Sequence, residues 1–301
     1  MDIGLTAPTL ARGDVRIGIS GWSYAGWRGR FYPAGLPHRK ELWYAARQFS
    51  SVEINGTFYG LLKPDDFARF HDETPEDFVF AVKASRFITH MLRGRNMGAP
   101  LSNFIASGLL RLRKKWGPTL WQFPERHAFD PATMEAFLKA LPRDTDQAAW
   151  LARRYDERIR KGVWTRKLAD IPLRHAVEIR STSFAVPLFV QLLREYDVAL
   201  VCADAVEWPL LLDVTSSFVY CRLHGSQELY VSGYDEEALD VWARRVRAWR
   251  IGREPRGGTR AGSAPVRRPR DVYIYFDNDA KVRAPVDAAR LMEKTRRRAP
   301  A

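Results

Sequence analysis

Acidic and basic side chains recur at the ends of short apolar runs in this 301-residue chain. Glu53 and Asn55 stand two apart in SVEIN, Glu178 and Arg180 in HAVEIR, and Arg222 and His224 in VYCRLH. A spacing of two puts both members of a pair on the same side of an extended strand. Lys83 lies near the end of FVFAVKA, Gln122 in TLWQF and Asp204 at the end of VALVCAD, while Asp277 and Asn278 close DVYIYFDN. Charged groups inside apolar strands are costly to bury unless paired. Three carboxylates (Glu53, Glu178, Asp204) facing three cations (Lys83, Arg180, Arg222) therefore predict one of two things. One is a plug of ion pairs; the other is a pocket with acid, base and anion-holding groups.

The pocket reading assigns roles. Glu178 or Glu53 serves as acid or base, with His224 as the second proton-transfer group, imidazole being the side chain suited to neutral pH. Asp204 is a further catalytic candidate. Lys83, Arg180 and Arg222 hold a phosphate or carboxylate, the arginines in bidentate fashion. Asn55, Gln122 and Asn278 fix orientation. Trp22, Tyr24 and Tyr59, which follow the first two runs, supply an aromatic wall. The reaction expected is acid–base or hydrolytic, of hydrolase or lyase/isomerase type. No cofactor is expected and no metal is favoured. A chain with no catalysis, whose aromatics Trp22, Tyr24, Trp27, Phe58, Tyr59, Tyr230 and Tyr234 stack on bases or sugars, is a third reading. Glu53 and Glu178 weigh against it.

These residues need elements to position them. Eight short β-branched or aromatic runs stand out, at 15–20, 51–55, 78–84, 119–123, 175–180, 198–204, 218–224 and 271–277. Helical patterns lie between most of them, at 38–49, 64–73, 99–116, 131–140, 184–195, 235–250 and 285–297. Strands alternating with helices predict a parallel sheet, and eight units predict a (β/α)8 barrel of TIM type, with an open doubly wound sheet as the alternative. In such barrels the site lies where strands end. The expected organisation is a tail (1–13), one domain (14–297) with a helical insertion at 143–173 and a mobile loop at 252–270, and a second tail (298–301).

The segments GISGWSYAGWRGRFYP, SSVEINGTFYG, FVFAVKASRFITH, WQFP, HAVEIRSTSF, VYCRLHG and VYIYFDNDA, taken together and in order, resemble the YecE-like proteins, domain of unknown function 72. The resemblance implies a TIM-barrel-like fold but supplies no reaction. It also implies that Trp22, Tyr24, Glu53, Asn55, Thr57, Phe58, Tyr59, Lys83, Gln122, Glu178, Arg180, Arg222, His224, Gly225 and Asn278 recur in the family. Two positions depart from its pattern: Ser181 stands where a histidine is usual, and Val282 where a glycine is common. Separately, Glu178, Asp204, His224 and Asp277 follow the strand order of xylose-isomerase-like and endonuclease-IV-like barrels. That resemblance implies a divalent metal acting on sugar or nucleic acid, although two arginines would crowd the ion.

Composition bounds the rest. With 46% hydrophobic and 28% charged residues the chain is expected to fold as a globule without staples. Cys202 and Cys221 sit in apolar runs and read as reduced thiols, and no leader or membrane-spanning pattern is present, so a cytoplasmic protein is expected. The net charge of +13 favours anionic partners, either a small molecule or nucleic acid. Nothing in the sequence names a protein partner. There is no Walker motif, no G-x-S-x-G and no cysteine metal spacing, and the glycines at 18, 21, 26 and 29 fit no dinucleotide fingerprint.

Overall fold

Two sequence periods build the molecule. A computed structural model describes residues 12–225 and 227–296. Of the two expected tails, 298–301 lies outside the described residues, as does 1–13 apart from Arg12 and Gly13. The eight apolar runs form β1 (Val15–Ser20), β2 (Ser51–Ile54), β3 (Val79–Lys83), β4 (Trp116–Gln122), β5 (His175–Glu178), β6 (Ala199–Asp204), β7 (Phe218–Leu223) and β8 (Asp271–Phe276). They close in chain order into a parallel barrel, β1 pairing with β8. The fold is thus a (β/α)8 barrel of TIM type.

Alternation decides which side chains fill the barrel. Ala81, Leu120, Ala176, Val201, Tyr220 and Tyr275 pack one another inside it. Residues of the opposite parity, such as Ile19, Val52, Val82 and Val177, face the surrounding helices. Gly18 of β1 allows a close strand approach, since a Cβ there would lie 1.8 Å from the Ser51 carbonyl oxygen. At the seam, the Asp14 backbone N–H donates to Asp271 Oδ1 (2.9 Å) across 257 residues of sequence. Cys202 and Cys221 are register neighbours on β6 and β7, buried and free.

The helices are α1 (Glu41–Gln48), α2 (Gly56–Tyr59), α3 (Pro64–Glu73), α4 (Gly98–Ala106), α5 (Pro131–Ala140), α6 (Thr145–Ala152), α7 (Pro187–Glu195), α8 (Glu236–Arg250) and α9 (Arg283–Arg296). Proline opens α3, α5 and α7, where its missing N–H costs nothing. Asp130, Asp144 and Asp235 cap α5, α6 and α8 through their carboxylates. No helix of the described residues is long and apolar enough to cross a membrane.

Two stretches differ in detail from their sequence patterns, and a third, expected as a loop, is tied to its neighbours. The helical pattern at 99–116 breaks after α4, because Gly108 adopts φ +129° and packs on Pro64, leaving a 3-10 stretch before β4. Within 143–173, α-helix covers only α6. The rest is irregular chain, pinned where Asn103 and Asp156 exchange hydrogen bonds and where the Trp164 N–H donates to the Ala106 carbonyl. Residues 252–270 carry no helix or strand; Asp213 accepts from the backbone N–H groups of Ala261 and Gly262, and Arg194 donates to the Ser263 carbonyl.

Candidate active site

At the C-terminal end of the strands, inward parity gathers the charges that the sequence singled out. Arg222 of β7 is fully buried at the centre. It donates from Nη1 to Glu178 Oε2 (2.8 Å), and from Nη2 to Glu53 Oε1 (2.9 Å), Asp277 Oδ2 (2.9 Å) and the Ser20 hydroxyl (3.0 Å). Glu53 also accepts from the Tyr220 hydroxyl (2.6 Å) and from Ser20. One guanidinium therefore serves three carboxylates; hydroxyls complete Glu53, and Arg180 takes the second oxygen of Glu178. Burial alone would raise the Glu178 carboxyl, but the cations Arg222, Arg180 and Lys83, together with His224, hold it down at about 2. Asp277, against the same burial, is held well below the usual carboxylate range, chiefly by Arg222 and His224.

His224 belongs to this layer too. Its ring meets Trp208 and Tyr230 edge-on, at 5.0 and 5.5 Å between centroids. Nδ1 lies 3.1 Å from Asp277 Oδ2 without the alignment of a hydrogen bond, and neither ring nitrogen has a hydrogen-bond partner among the described residues. His224 thus sits beneath an aromatic cover, outside the open cavity.

Above this charged floor lies a cavity of about 780 Å³. Of the candidates from sequence, Trp22, Tyr24, Asn55, Tyr59, Lys83, Gln122, Arg180 and Asp277 line it. Tyr24 is fixed by donating to the Ser20 carbonyl (2.7 Å), and Asn55 by donating to the Ser20 hydroxyl (2.9 Å). Arg180 is held from three sides: it donates to Glu178 Oε1 (3.2 Å) and the Tyr230 hydroxyl (3.3 Å), and lies 3.7 Å over the Trp208 ring. The Lys83 ammonium stands 4.3 Å over the Phe58 ring. Burial, then the like charge of Arg222, lowers it to about 8, against the pull of Asp277, Glu53 and Glu178.

The loops add Arg86 and Asp279, which sequence reasoning did not single out, and bring to the cavity His90, just beyond the third strand, and Tyr230, one of the aromatics of the binding reading. His90 sits on a single π-helical turn, Phe87–Met91, and its Nε2 lies 3.4 Å from Gln122 Nε2. Burial and the cations Arg180, Lys83 and Arg86 lower its imidazole to about 4, so it is neutral at pH 7. The Asp279 carboxyl is raised above its ordinary value by burial and by Asp277. Trp27 lies below the site and ties the β1 loop to the β8 loop, its indole N–H donating to the Asp279 carbonyl (3.0 Å).

Two candidates point elsewhere, for one physical reason. The inward positions of β6 are Ala199, Val201 and Ala203, so Asp204 faces outward and accepts from the Trp242 indole N–H of α8 (2.8 Å). On β8 the inward positions are Tyr273, Tyr275 and then Asp277; Asn278 turns away and donates to the Ser232 carbonyl and to Asp287 (both 3.0 Å). The ligand set Glu178, Asp204, His224 and Asp277 therefore does not converge. Arg222 bridges Glu178 and Asp277, and no group of three or more His, Cys, Asp or Glu among the described residues is arranged to hold a metal ion. Ser181, where the resemblance implies a histidine, accepts from the Ser183 N–H at the start of a 3-10 turn. Val282, where it implies a glycine, has φ +62°.

Comparison with known proteins places this geometry in a family. The profile of the family described as "Protein of unknown function DUF72" matches residues 16–301. UPF0759 protein YecE of Escherichia coli K12 is 30% identical over a match that covers 36% of this chain and 43% of that protein, and the protein of the same name from Escherichia coli O157:H7 matches equally. The chain thus spans less than half the length of the curated relatives it matches. Among solved structures, the DUF72 family protein TM1631 of Thermotoga maritima is similar with TM-score 0.69 at 24% identity, covering 93% of this chain and 98% of that one. The DUF72 family protein EF0366 of Enterococcus faecalis gives TM-score 0.63 at 16% identity, covering 95% and 97%. At these identities the structural likeness speaks for the fold.

Proposed function

The chain belongs to the DUF72 family, and from that premise we propose that it is an enzyme of acid–base chemistry acting on a small anionic substrate at the barrel mouth. One observation carries this reading: three cations, Lys83, Arg86 and Arg180, line the cavity against two carboxylates, of which Asp277 is already paired with Arg222, while Glu53 and Glu178 lie buried beneath. Glu53 and Glu178 are fully buried on Arg222, whereas Arg86 and Arg180 stand in the cavity wall with Lys83 beside them. A phosphate or carboxylate entering from solvent meets guanidinium groups first, and these bind such anions in bidentate fashion. Phe58, Tyr59 and Trp22 give the remainder of a small ligand an apolar face.

The buried carboxylates take a different role from the one their sequence positions invite. Glu53 and Glu178 are held as acceptors in ion pairs, so they fix Arg222 and Arg180 and do not serve as mobile acids. Proton transfer falls to groups that line the cavity. Lys83 is lowered to about 8 by burial and Arg222, and the carboxyl of Asp279 is raised by burial and by Asp277.

The test is calorimetric titration of inorganic phosphate and of small mono- and dicarboxylates. Binding is expected, and Arg180→Gln should weaken it at least tenfold, the loss of one charge-assisted contact of about 1.5–3 kcal/mol. Affinity unchanged in a folded Arg180→Gln, Arg86→Gln double variant would refute the assignment.

A further inference from the structure

We infer that Lys83 acts as an amine nucleophile, condensing with the carbonyl carbon of a small aldehyde or ketone that carries a carboxylate or phosphate. The inference deepens the proposal above and rests on its anion-binding cavity. It starts from a contrast between two buried lysines. Lys115 is 4% exposed, and its ammonium donates to the carbonyls of His71 and Thr74 and to the Thr74 hydroxyl. Lys83 is 8% exposed, and its ammonium makes no hydrogen bond or ion pair among the described residues. A buried ammonium normally recruits acceptors. This one has an aromatic face on one side and an open cavity on the other.

The surroundings suit an amine that must shed a proton and attack. The charged groups acting on it are Arg222, Asp277, Glu53 and Glu178, and the carboxylates among them are already engaged by Arg222. The backbone of Lys83 is fixed, its carbonyl accepting from the Thr57 hydroxyl (2.6 Å). Desolvated lysines beside another cation are the ones that enter imine chemistry.

The step balances within the cavity. The Lys83 ammonium passes one proton to water in the open cavity, and the neutral amine attacks the carbonyl carbon to form a C–N bond. The carbonyl π electrons move to oxygen, which takes one proton from nitrogen to give a carbinolamine. Water in the open cavity returns a proton to that hydroxyl, the C–O bond breaks, and water leaves as the nitrogen lone pair forms the iminium. Arg180 and Arg86 hold the substrate's anionic group meanwhile. An iminium withdraws electrons from the neighbouring carbon, the activation that lyases and isomerases of this type exploit.

The experiment incubates the full chain with glyoxylate and sodium cyanoborohydride at pH 7 and maps carboxymethylated lysines by mass spectrometry, with and without inorganic phosphate. Lys83 should label at least tenfold faster than any exposed lysine, phosphate should slow that labelling, and Lys83→Met should remove it while the other lysines label as before. Labelling of Lys83 no faster than of exposed lysines overturns the inference. If phosphate still binds in an Arg180-dependent way in that case, the anion-binding reading stands without the imine. If Lys83 labels fast but phosphate neither binds nor protects, the nucleophile stands and the anion-binding reading falls.

Discussion

Replacing Arg222 by methionine tests the charged floor directly. The substitution keeps much of the side-chain volume and removes the cation that, among the described residues, touches Glu53, Glu178 and Asp277 together. Breaking a buried ion pair by deleting one partner costs about 3–5 kcal/mol. Three carboxylates lose a partner here, but not wholly: Glu178 keeps Arg180 at 3.2 Å, and Glu53 keeps the hydroxyls of Tyr220 and Ser20. A loss within that same range is therefore expected at pH 7. The pH dependence follows from the sign. A depressed carboxylate contributes stability that is present above its unfolded value of 4.5 and is lost as pH falls through the folded value near 2. Without Arg222, burial raises these carboxyls, and their protonation on acidification relieves the strain of unpaired charge. The gap between the native chain and Arg222→Met should then be widest at neutral pH and narrow as pH falls through the raised carboxyls of the variant, beginning above 4.5 and continuing toward the native value near 2. Urea unfolding followed by circular dichroism at pH 7, 5 and 4 measures it. A gap that is absent at pH 7, or that stays constant down to pH 4, would refute the account of Arg222 as the ion that holds the floor charged.

Val282 and His90 give two more expectations. Relief of the left-handed backbone at Val282 is worth about 1–2 kcal/mol, which offsets much of the lost packing, so Val282→Gly should be more stable than Val282→Ala, the reverse of the usual order; the opposite ranking by thermal unfolding would exclude backbone strain there. The His90 ring should titrate near pH 4 by NMR, so that its contribution to stability is full above its unfolded value of 6.5 and falls as pH drops toward 4; a midpoint above 6 would place the ring outside the field of Arg180 and Lys83.

Alternation of short apolar runs with helical patterns made the barrel legible, because strands buried on both faces read as apolar runs bounded by turn residues. The cavity wall was legible in part. Lys83, Gln122 and Arg180 stand at the inward ends of strands, and Trp22, Tyr24, Asn55 and Tyr59 follow β1 and β2 directly. Asp204 and Asn278 mislead because position at a strand end does not fix direction. The period of two that joins Glu53 to Asn55, carried through Val201, Ala203 and Tyr275, Asp277, turns both of them outward. Arg86, His90, Asp279 and Tyr230 lie in loops, where no period applies, and only the folded chain brings them to the cavity. The floor, too, emerges only in three dimensions: the sequence offers three carboxylates and three cations, whereas the fold exchanges Asp204 for Asp277 and gives all three carboxylates to Arg222.

The seam between β1 and β8 bears on how the chain is made. Every other strand pair joins near neighbours in sequence, but this one, with the Asp14–Asp271 and Trp27–Asp279 hydrogen bonds that fasten it, spans more than 250 residues. On a ribosome adding about 5–20 residues per second, β1 emerges roughly 13–50 s before the strand that completes it. Through that interval its open edge is a template for wrong pairing. Of the two edges that a growing sheet leaves open, the one at β1 is thus fixed and waits longest, since it closes only when β8 arrives.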